Sequence, residues 1–416
     1  MMLERKDIEL MAPAGSYEAL ITAIKAGADS VYFGAGNLNM RARSSANFTL
    51  KDLKKIANIC KEYNVKSYLT LNTIIYDEEI DISKKIIKAA KNSGITAIIA
   101  SDISVIKQCD ELDMECHAST QLNISNIEAV KFFANYCNVI VLARELSLDK
   151  VKNIYKNIQR QQIKSKNGQL VKIEIFIHGA LCMSISGKCY LSLHEFNYSA
   201  NRGACLQNCR RKYEVKDKET GNLLEIDNEY IMSPKDLCTI TFLDKIIDAG
   251  ARVLKIEGRG RSPEYVKIVV ETYNEAINFI IKNQYNYEKS KELEKKLKTV
   301  YNRDFWDGYY LGKKLGEWTN RYGSSATKKK EYVGKITHYY SKIKTAVALI
   351  ESQPLNCDDE ILIIGKTTGT YIDKLNEIRL DDKPIKKAIK GDLISFKVNS
   401  KVRPNDKLYK WIDSNR

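Results

Sequence analysis

The chain has 416 residues, 44% of them hydrophobic, and its 67 lysines and arginines outnumber 52 aspartates and glutamates to give a formal charge of +15. That length supports a sizeable core and two domains, and no apolar run is long enough to span a bilayer. The opening Met1-Met2-Leu3-Glu4-Arg5-Lys6-Asp7 has no apolar stretch of the secretory kind, so the expectation is a cytoplasmic protein without a membrane partner. The positive balance suits a polyanion such as RNA, and the abundance of Lys, Asn, Ile and Tyr is also what an AT-rich genome produces.

In chain order, short apolar strands are predicted at Ile8–Pro13, Ser30–Gly34, Lys66–Leu71, Thr96–Ala100, Met114–Ala118, Val139–Ala143, Ile173–Ile177 and Val253–Glu257. Each is brief and rich in β-branched or aromatic residues, as a strand buried on both faces should be. Helical patterns lie between them, such as Tyr17 to Gly27, Ile82 to Gly94 and Ile127 to Tyr136. Eight strands with helical crossovers predict a TIM-like (β/α)8 barrel over residues 1–327. Function in such a barrel sits at the C-terminal ends of the strands. Arg41, Arg43, Arg144, Arg259 and Arg261 all follow predicted strands there, with Glu145 and Glu257 placed to orient them. For any one arginine a surface salt bridge is the commoner use, but five on one face make a set suited to gripping carboxylates.

The connection from the seventh strand to the eighth, about residues 179–250, is too long for a simple loop and carries five of the ten cysteines. After it come a charged helical stretch, Tyr287 to Val300, and an aromatic segment, Tyr301 to Gly312, in which Phe305, Trp306, Tyr309 and Tyr310 either stack a base or pack between domains. Gly323 to Lys330 reads as a linker. Beyond it, residues 328–416 change to strands without helices, at Tyr332–Tyr340, Lys344–Ile350, Glu360–Ile364 and Asp392–Val398, and predict a small C-terminal β-barrel of the translation-factor kind that contacts RNA.

Cys60, Cys109, Cys116, Cys137 and Cys357 are scattered and read as small buried hydrophobes. Cys182, Cys189, Cys205, Cys209 and Cys238 are clustered, and in a reducing compartment clustered cysteines bind metal more often than they form disulfides. Four thiolates on glycine-bearing loops suit a 4Fe–4S cluster or, alternatively, zinc. Structural zinc prefers two tight Cys pairs, and only Cys205/Cys209 has that spacing. His178 beside Cys182 raises a Cys–His peptidase dyad as a rival, which needs that thiol free. Arg202, Arg210, Arg211 and Lys212 bracket two of the cysteines and are the candidate RNA-binding cations.

Phe176-x-His178-Gly179-Ala180-Leu181-Cys182 and Ser186-Gly187-Lys188-Cys189-Tyr190-Leu191-Ser192 resemble the signature of the collagenase-like peptidase family U32. Glu9 to Gly15, Gly27 to Gly34, Asn201-Arg202-Gly203, Lys255 to Arg259 and Gly308 to Gly312 match it too, so the resemblance covers essentially the whole chain. It implies an iron–sulfur protein that hydroxylates without O₂. Members act on the wobble uridine of tRNA, on a cytidine of 23S rRNA, or on a ubiquinone precursor. The appended β-domain makes the chain most similar to the tRNA-hydroxylating branch, for which the resemblance implies C5 hydroxylation of uridine with prephenate as hydroxyl donor. It also implies a 4Fe–4S cluster on Cys182, Cys189, Cys205 and Cys238, with Cys209 as a substitute ligand, and a partner subunit of the same family. Arg144, Arg259, Glu257 and His178 are then the candidate catalytic groups, and Arg41, Arg43 and Arg261 the donor-binding ones. Alternatives of another class are a U32-type peptidase and a zinc-stabilised RNA-binding protein without catalysis of its own.

Overall fold

The computed structural model describes residues 3–42, 48–214, 216–221, 230–312 and 316–414. Seven strands come first: β1 (Glu9–Pro13), β2 (Ser30–Gly34), β3 (Lys66–Leu71), β4 (Ala97–Ala100), β5 (Cys116–Ala118), β6 (Val139–Val141) and β7 (Lys172–Gly179). A short β8 (Asp236–Cys238) follows, then β9 (Ala251–Ile256). β1 to β7 pair in order and in parallel, and β9 pairs in parallel with both β1 and β7, closing a ring of eight. This is the expected TIM-like barrel. Every residue of β1, β2 and β4 is buried, because helices cover the outer face and side chains fill the inner one. Met11, Tyr32, Tyr68, Ala97, Ile99, Val139 and Val253 form a cluster of their own within that ring. Local chemistry fixes the helices. Ser16 caps the helix Tyr17–Lys25 by accepting from the Ala19 N–H at 3.3 Å, and Pro263 opens the helix Pro263–Ile281, where a missing N–H costs nothing.

The end of β7 decides how the functional face is built. Phe176 pairs with Lys255 and His178 with Ile256, so two steps on β7 answer one on β9. Such a shift turns the following side chain to the opposite face of the strand. Phe176 therefore shares the inner face with Lys255, and His178 shares the outer face with Ile256. The His178 ring stacks among Tyr265, Tyr273 and Phe305, and its Nδ1 lies 3.3 Å from the Tyr273 hydroxyl. Gly179 then leaves the barrel with φ +104°, where an added Cβ would stand 2.6 Å from the Glu257 carbonyl oxygen. The chain enters the cysteine-bearing insertion and returns through β8, which runs antiparallel to the end of β7 with Cys238 opposite His178. A second strand unforeseen in the sequence, Phe305–Trp306, pairs in parallel with β8. Trp306 and Tyr310 are buried there, the Tyr310 hydroxyl donating to the Phe176 carbonyl at 2.8 Å. Those two aromatics brace the barrel and offer no face to a base.

From Lys328–Tyr340 to Lys407–Asp413 the chain forms an eight-stranded antiparallel sheet with its own core, which includes Val333, Ile336, Ala348, Ile363, Phe396 and Leu408. Its pairings run from one edge strand to another without a closing pair among the described residues. Hydrogen bonds therefore do not complete the expected small barrel. Leu362, Ile364 and Trp411 join the core of the larger domain instead. Thr370 Oγ1 meets Thr22 Oγ1 at 2.9 Å, Lys25 donates to the Thr368 carbonyl at 2.8 Å, and Lys330 pairs with Glu264 at 2.8 Å. The module is thus docked on the flank of the barrel made by the helices Tyr17–Lys25 and Pro263–Ile281. Among the described residues, no helix is long and apolar enough to cross a membrane.

His178 carries a pH signature. Burial, and then the charge of Arg261, push its pKa down from 6.5 to about 3. The unfolded chain takes up this proton first, so the contribution of His178 is complete above the unfolded pKa and declines as pH falls from 6.5 towards 3. Denaturant titrations in that window should give a pH slope that is shallower in His178→Phe than in the wild-type chain, by up to about 1.4 kcal/mol per pH unit. Identical slopes would place the imidazole in water.

Candidate functional site

A cavity of about 230 Å³ opens where the barrel strands end. Two kinds of group line it. One is a set of four cysteines from the insertion, Cys182, Cys189, Cys205 and Cys209. The other is a set of cations, Arg41, Arg144, Arg210, Lys255, Arg259, Arg261 and Arg303, facing Glu257 as the one carboxylate among the described lining residues.

The cysteine wall comes from loops held down on the barrel. Gly203, at φ +75°, lies so close to the β2 loop that a Cβ would stand 2.3 Å from the Asn39 carbonyl oxygen. Arg202 clasps Glu79 with both terminal nitrogens and lies 4.1 Å over the Tyr76 ring. Arg210 donates to the carbonyls of Leu181 and Pro234 and to the Ser233 hydroxyl, tying the Cys182 loop to the approach of β8. The Cys209 thiol is pushed up to about 11 by burial, opposed by Arg210 and reinforced by the thiols of Cys182, Cys205 and Cys189. The four thiols line one wall of the cavity, and thiols are donors that soft metal centres take, so the donor set suits a metal centre. Among the described residues no three His, Cys, Asp or Glu side chains stand close enough to grip one ion.

Cys238, expected as the fourth ligand, is not among the residues that line the cavity. It is buried on β8 with its Sγ 3.9 Å from the Tyr273 hydroxyl, and burial pushes its thiol up to about 12. The antiparallel return along β7 faces it towards the helix Pro263–Ile281, whereas Cys209 lines the cavity. His178 does not line the cavity either. The β7 register shift turns it out of the cavity, and it is a neutral core group.

The arginines differ in how far they are committed. Arg41 donates to Glu257 at 3.0 Å. Burial would raise the Glu257 carboxyl, but Arg41, Arg261 and Arg144 outweigh it and hold that carboxyl below its usual range. Arg261 lies 3.7 Å over the Tyr301 ring and 3.8 Å from Asp236, which Arg303 approaches at 3.5 Å. Arg259 has only neutral partners, Asn39 Oδ1 at 3.0 Å and Thr70 Oγ1 at 2.7 Å, and burial drops its pKa to about 10. Arg144 lies 4.2 Å over the Phe176 ring, and its buried Nε finds no hydrogen-bond partner among the described residues. Among the described lining cations Arg144, Arg210 and Arg259 have no carboxylate partner, and Arg210 is already taken up by the carbonyls and hydroxyl of the insertion. Arg43 lies outside the described residues.

Of the expected RNA-binding cations, Arg202 and Arg210 are consumed in holding the insertion together. Arg211 and Lys212 are exposed, Arg211 pairing with Glu195 at 3.0 Å. Groups that the sequence reading missed are Lys255 with its partner Glu174, and an amide pair in which Gln121 donates to the Asn72 carbonyl at 2.9 Å. A charged residue inside an otherwise apolar strand was the available signal for Lys255 and Glu174.

A profile of Peptidase family U32 matches residues 15–320. A protein of Porphyromonas gingivalis (strain ATCC BAA-308 / W83) named "Collagenase" is 56% identical over 405 residues, 97% of this chain and 98% of that one. The "tRNA hydroxylation protein P1" of Bacillus subtilis (strain 168) is 31% identical over 415 residues, covering 97% and 95%. The "23S rRNA 5-hydroxycytidine C2501 synthase" of Escherichia coli (strain K12) is 35% identical over 285 residues, 68% of this chain and 41% of that longer one. With a barrel, an inserted cysteine loop and a match of this extent, the chain belongs to peptidase family U32.

Proposed function

We propose that the chain is an RNA-modifying enzyme that hydroxylates the wobble uridine of tRNA at C5 without O₂, taking the hydroxyl group from prephenate. The observation that carries this reading is the pairing of four thiols with an excess of cations around one cavity. The thiols of Cys182, Cys189, Cys205 and Cys209 would hold a 4Fe–4S cluster. Bound there, it would supply redox or Lewis-acid chemistry beside the ligand. The protein's own groups do the rest. Arg144 and Arg259, which lack carboxylate partners, would grip the two carboxylates of the donor. Glu257, kept ionised by Arg41, fixes that guanidinium in the wall. The Asn72–Gln121 amides offer donors and acceptors to the edge of a pyrimidine turned out of a loop. Closure of the cysteine loops over the strand ends would exclude water. The relatives named for tRNA and rRNA hydroxylation support this class of reaction, and a cytidine of 23S rRNA is the alternative target. A peptidase, which the collagenase-named relative suggests, needs a base beside its nucleophile. The histidine next to the cysteine loop reaches Tyr273 instead.

Two outcomes test the proposal. Protein purified anaerobically should carry about four irons and four sulfides per chain. Cys209→Ala should lose that iron, whereas Cys238→Ala should keep it and lose stability alone. One stoichiometric zinc, or iron that depends on Cys238 and not on Cys209, overturns the ligand set. Nucleoside mass spectrometry of a deletion strain grown without O₂ should lack 5-hydroxyuridine in tRNA. Arg144→Ala should lower kcat/KM for the donor on the order of ten- to a hundredfold with iron content unchanged. If 5-hydroxyuridine persists and a cytidine of 23S rRNA loses its hydroxyl instead, the target is ribosomal.

A further inference from the structure

Lys255 lines the cavity from a buried pair with Glu174, which stands behind the lining, and neither anion binding nor thiol ligation uses that pair. Lys255 Nζ is 2.7 Å from Glu174 Oε1, and the two side chains are 5% and 0% exposed. They stand on the neighbouring strands β9 and β7, within the ring. The Tyr32 and Phe176 ring centres lie 4.6 and 5.4 Å from Nζ. A buried ion pair is a poor device for stability, because well-packed apolar residues do as well. A lysine that faces a ligand cavity from such a pair calls for a chemical use. Two further observations point to one. Glu174 Oε2 is buried without a hydrogen-bond partner among the described residues, leaving a carboxylate oxygen free to take a proton. Burial, offset in part by Glu174, also holds the Lys255 ammonium below its ordinary pKa, and Arg259 and Arg144 push the same way. Desolvation beside other cations is how an amine becomes a nucleophile.

We propose that Lys255 captures the carbonyl group of an oxo acid held by Arg144 and Arg259, forming an imine at the floor of the cavity. The ammonium first gives a proton to Glu174. The neutral amine then adds to the carbonyl carbon, its electron pair making the C–N bond while the C=O pair moves to oxygen. The carbinolamine oxygen takes up the proton from nitrogen and then the one held by Glu174, and leaves as water. The products are a protonated imine, one water and the Glu174 carboxylate, so charge balances and no oxidant or reductant is consumed. The arginines select a carboxylate and the lysine selects a ketone or aldehyde, which together define the ligand class as oxo acids. The inference deepens the donor-site reading and rests on it.

The test is reductive trapping on the anaerobically purified full chain, with pyruvate and phenylpyruvate as probes and cyanoborohydride as reductant. The peptide containing Lys255 should gain the mass of the oxo acid less one oxygen atom, more heavily than any surface lysine. Lys255→Arg should give no adduct there. Binding of each probe is measured in parallel by thermal shift, with Lys255→Met as a second variant should the arginine variant misfold. If phenylpyruvate raises the melting temperature but Lys255 stays unlabelled, the imine is ruled out and the donor site stands. If neither probe binds nor labels, both readings fail. Labelling spread evenly over exposed lysines also overturns the proposal.

Discussion

The register shift near the end of β7 is the constraint on which the rest of the site depends. Without it, the alternation of β7 would point His178 inward above Phe176 and set an imidazole beside Lys255. With it, Phe176 packs inside as the platform under Arg144, His178 is locked outside against Tyr273, and Gly179 sends the chain over the mouth of the barrel. β8 returns along the same strand and brings Asp236 within reach of Arg261 and Arg303. One extra residue in one strand thus divides the segment from Phe176 to Cys238 into an inner wall and a structural outer layer.

Electrostatics then makes the cavity a site with two unmet needs. Its cations outnumber its carboxylates, and removing a guanidinium from water without an anion is costly. Its four thiols form a soft donor set on one wall, and burial pushes the Cys209 thiol up to about 11. An anionic ligand would meet the first need, and the proposed iron cluster would take the thiols as its donors. The C-terminal module, docked on the barrel flank through Thr22–Thr370 and Lys25–Thr368, leaves that volume accessible from the strand ends.

All eight barrel strands were legible in the sequence because burial on both faces forces uninterrupted apolar runs between amphipathic helices. The short β8 was not, since Asp236-Leu237-Cys238 forms only by pairing with the end of β7, a contact remote in sequence. Several C-terminal strands were missed for a related reason. Lys407–Asp413 carries Lys407, Lys410 and Asp413, charges spread along the strand that dilute its apolar pattern. The gathering of cysteines was readable from clustering, but which of Cys209 and Cys238 lines the cavity was not. Chain spacing says nothing about which side of a strand a thiol faces. The partners of Arg202 and Arg210 were not legible, because a sequence does not reveal that Glu79 and three backbone or hydroxyl oxygens await them. Lys255 and Glu174 were within reach, because a lone charge inside a doubly buried strand must find a partner or a purpose.

The claim at the centre of this account is that Cys182, Cys189, Cys205 and Cys209 hold iron directly above a cation-lined cavity. Diffraction at the iron absorption edge, from crystals of the chain grown without oxygen, tests it most directly. The account predicts anomalous density bounded by those four sulfurs, with Cys238 remaining against Tyr273. Iron bonded to Cys238, or a single zinc-edge peak in its place, would contradict it.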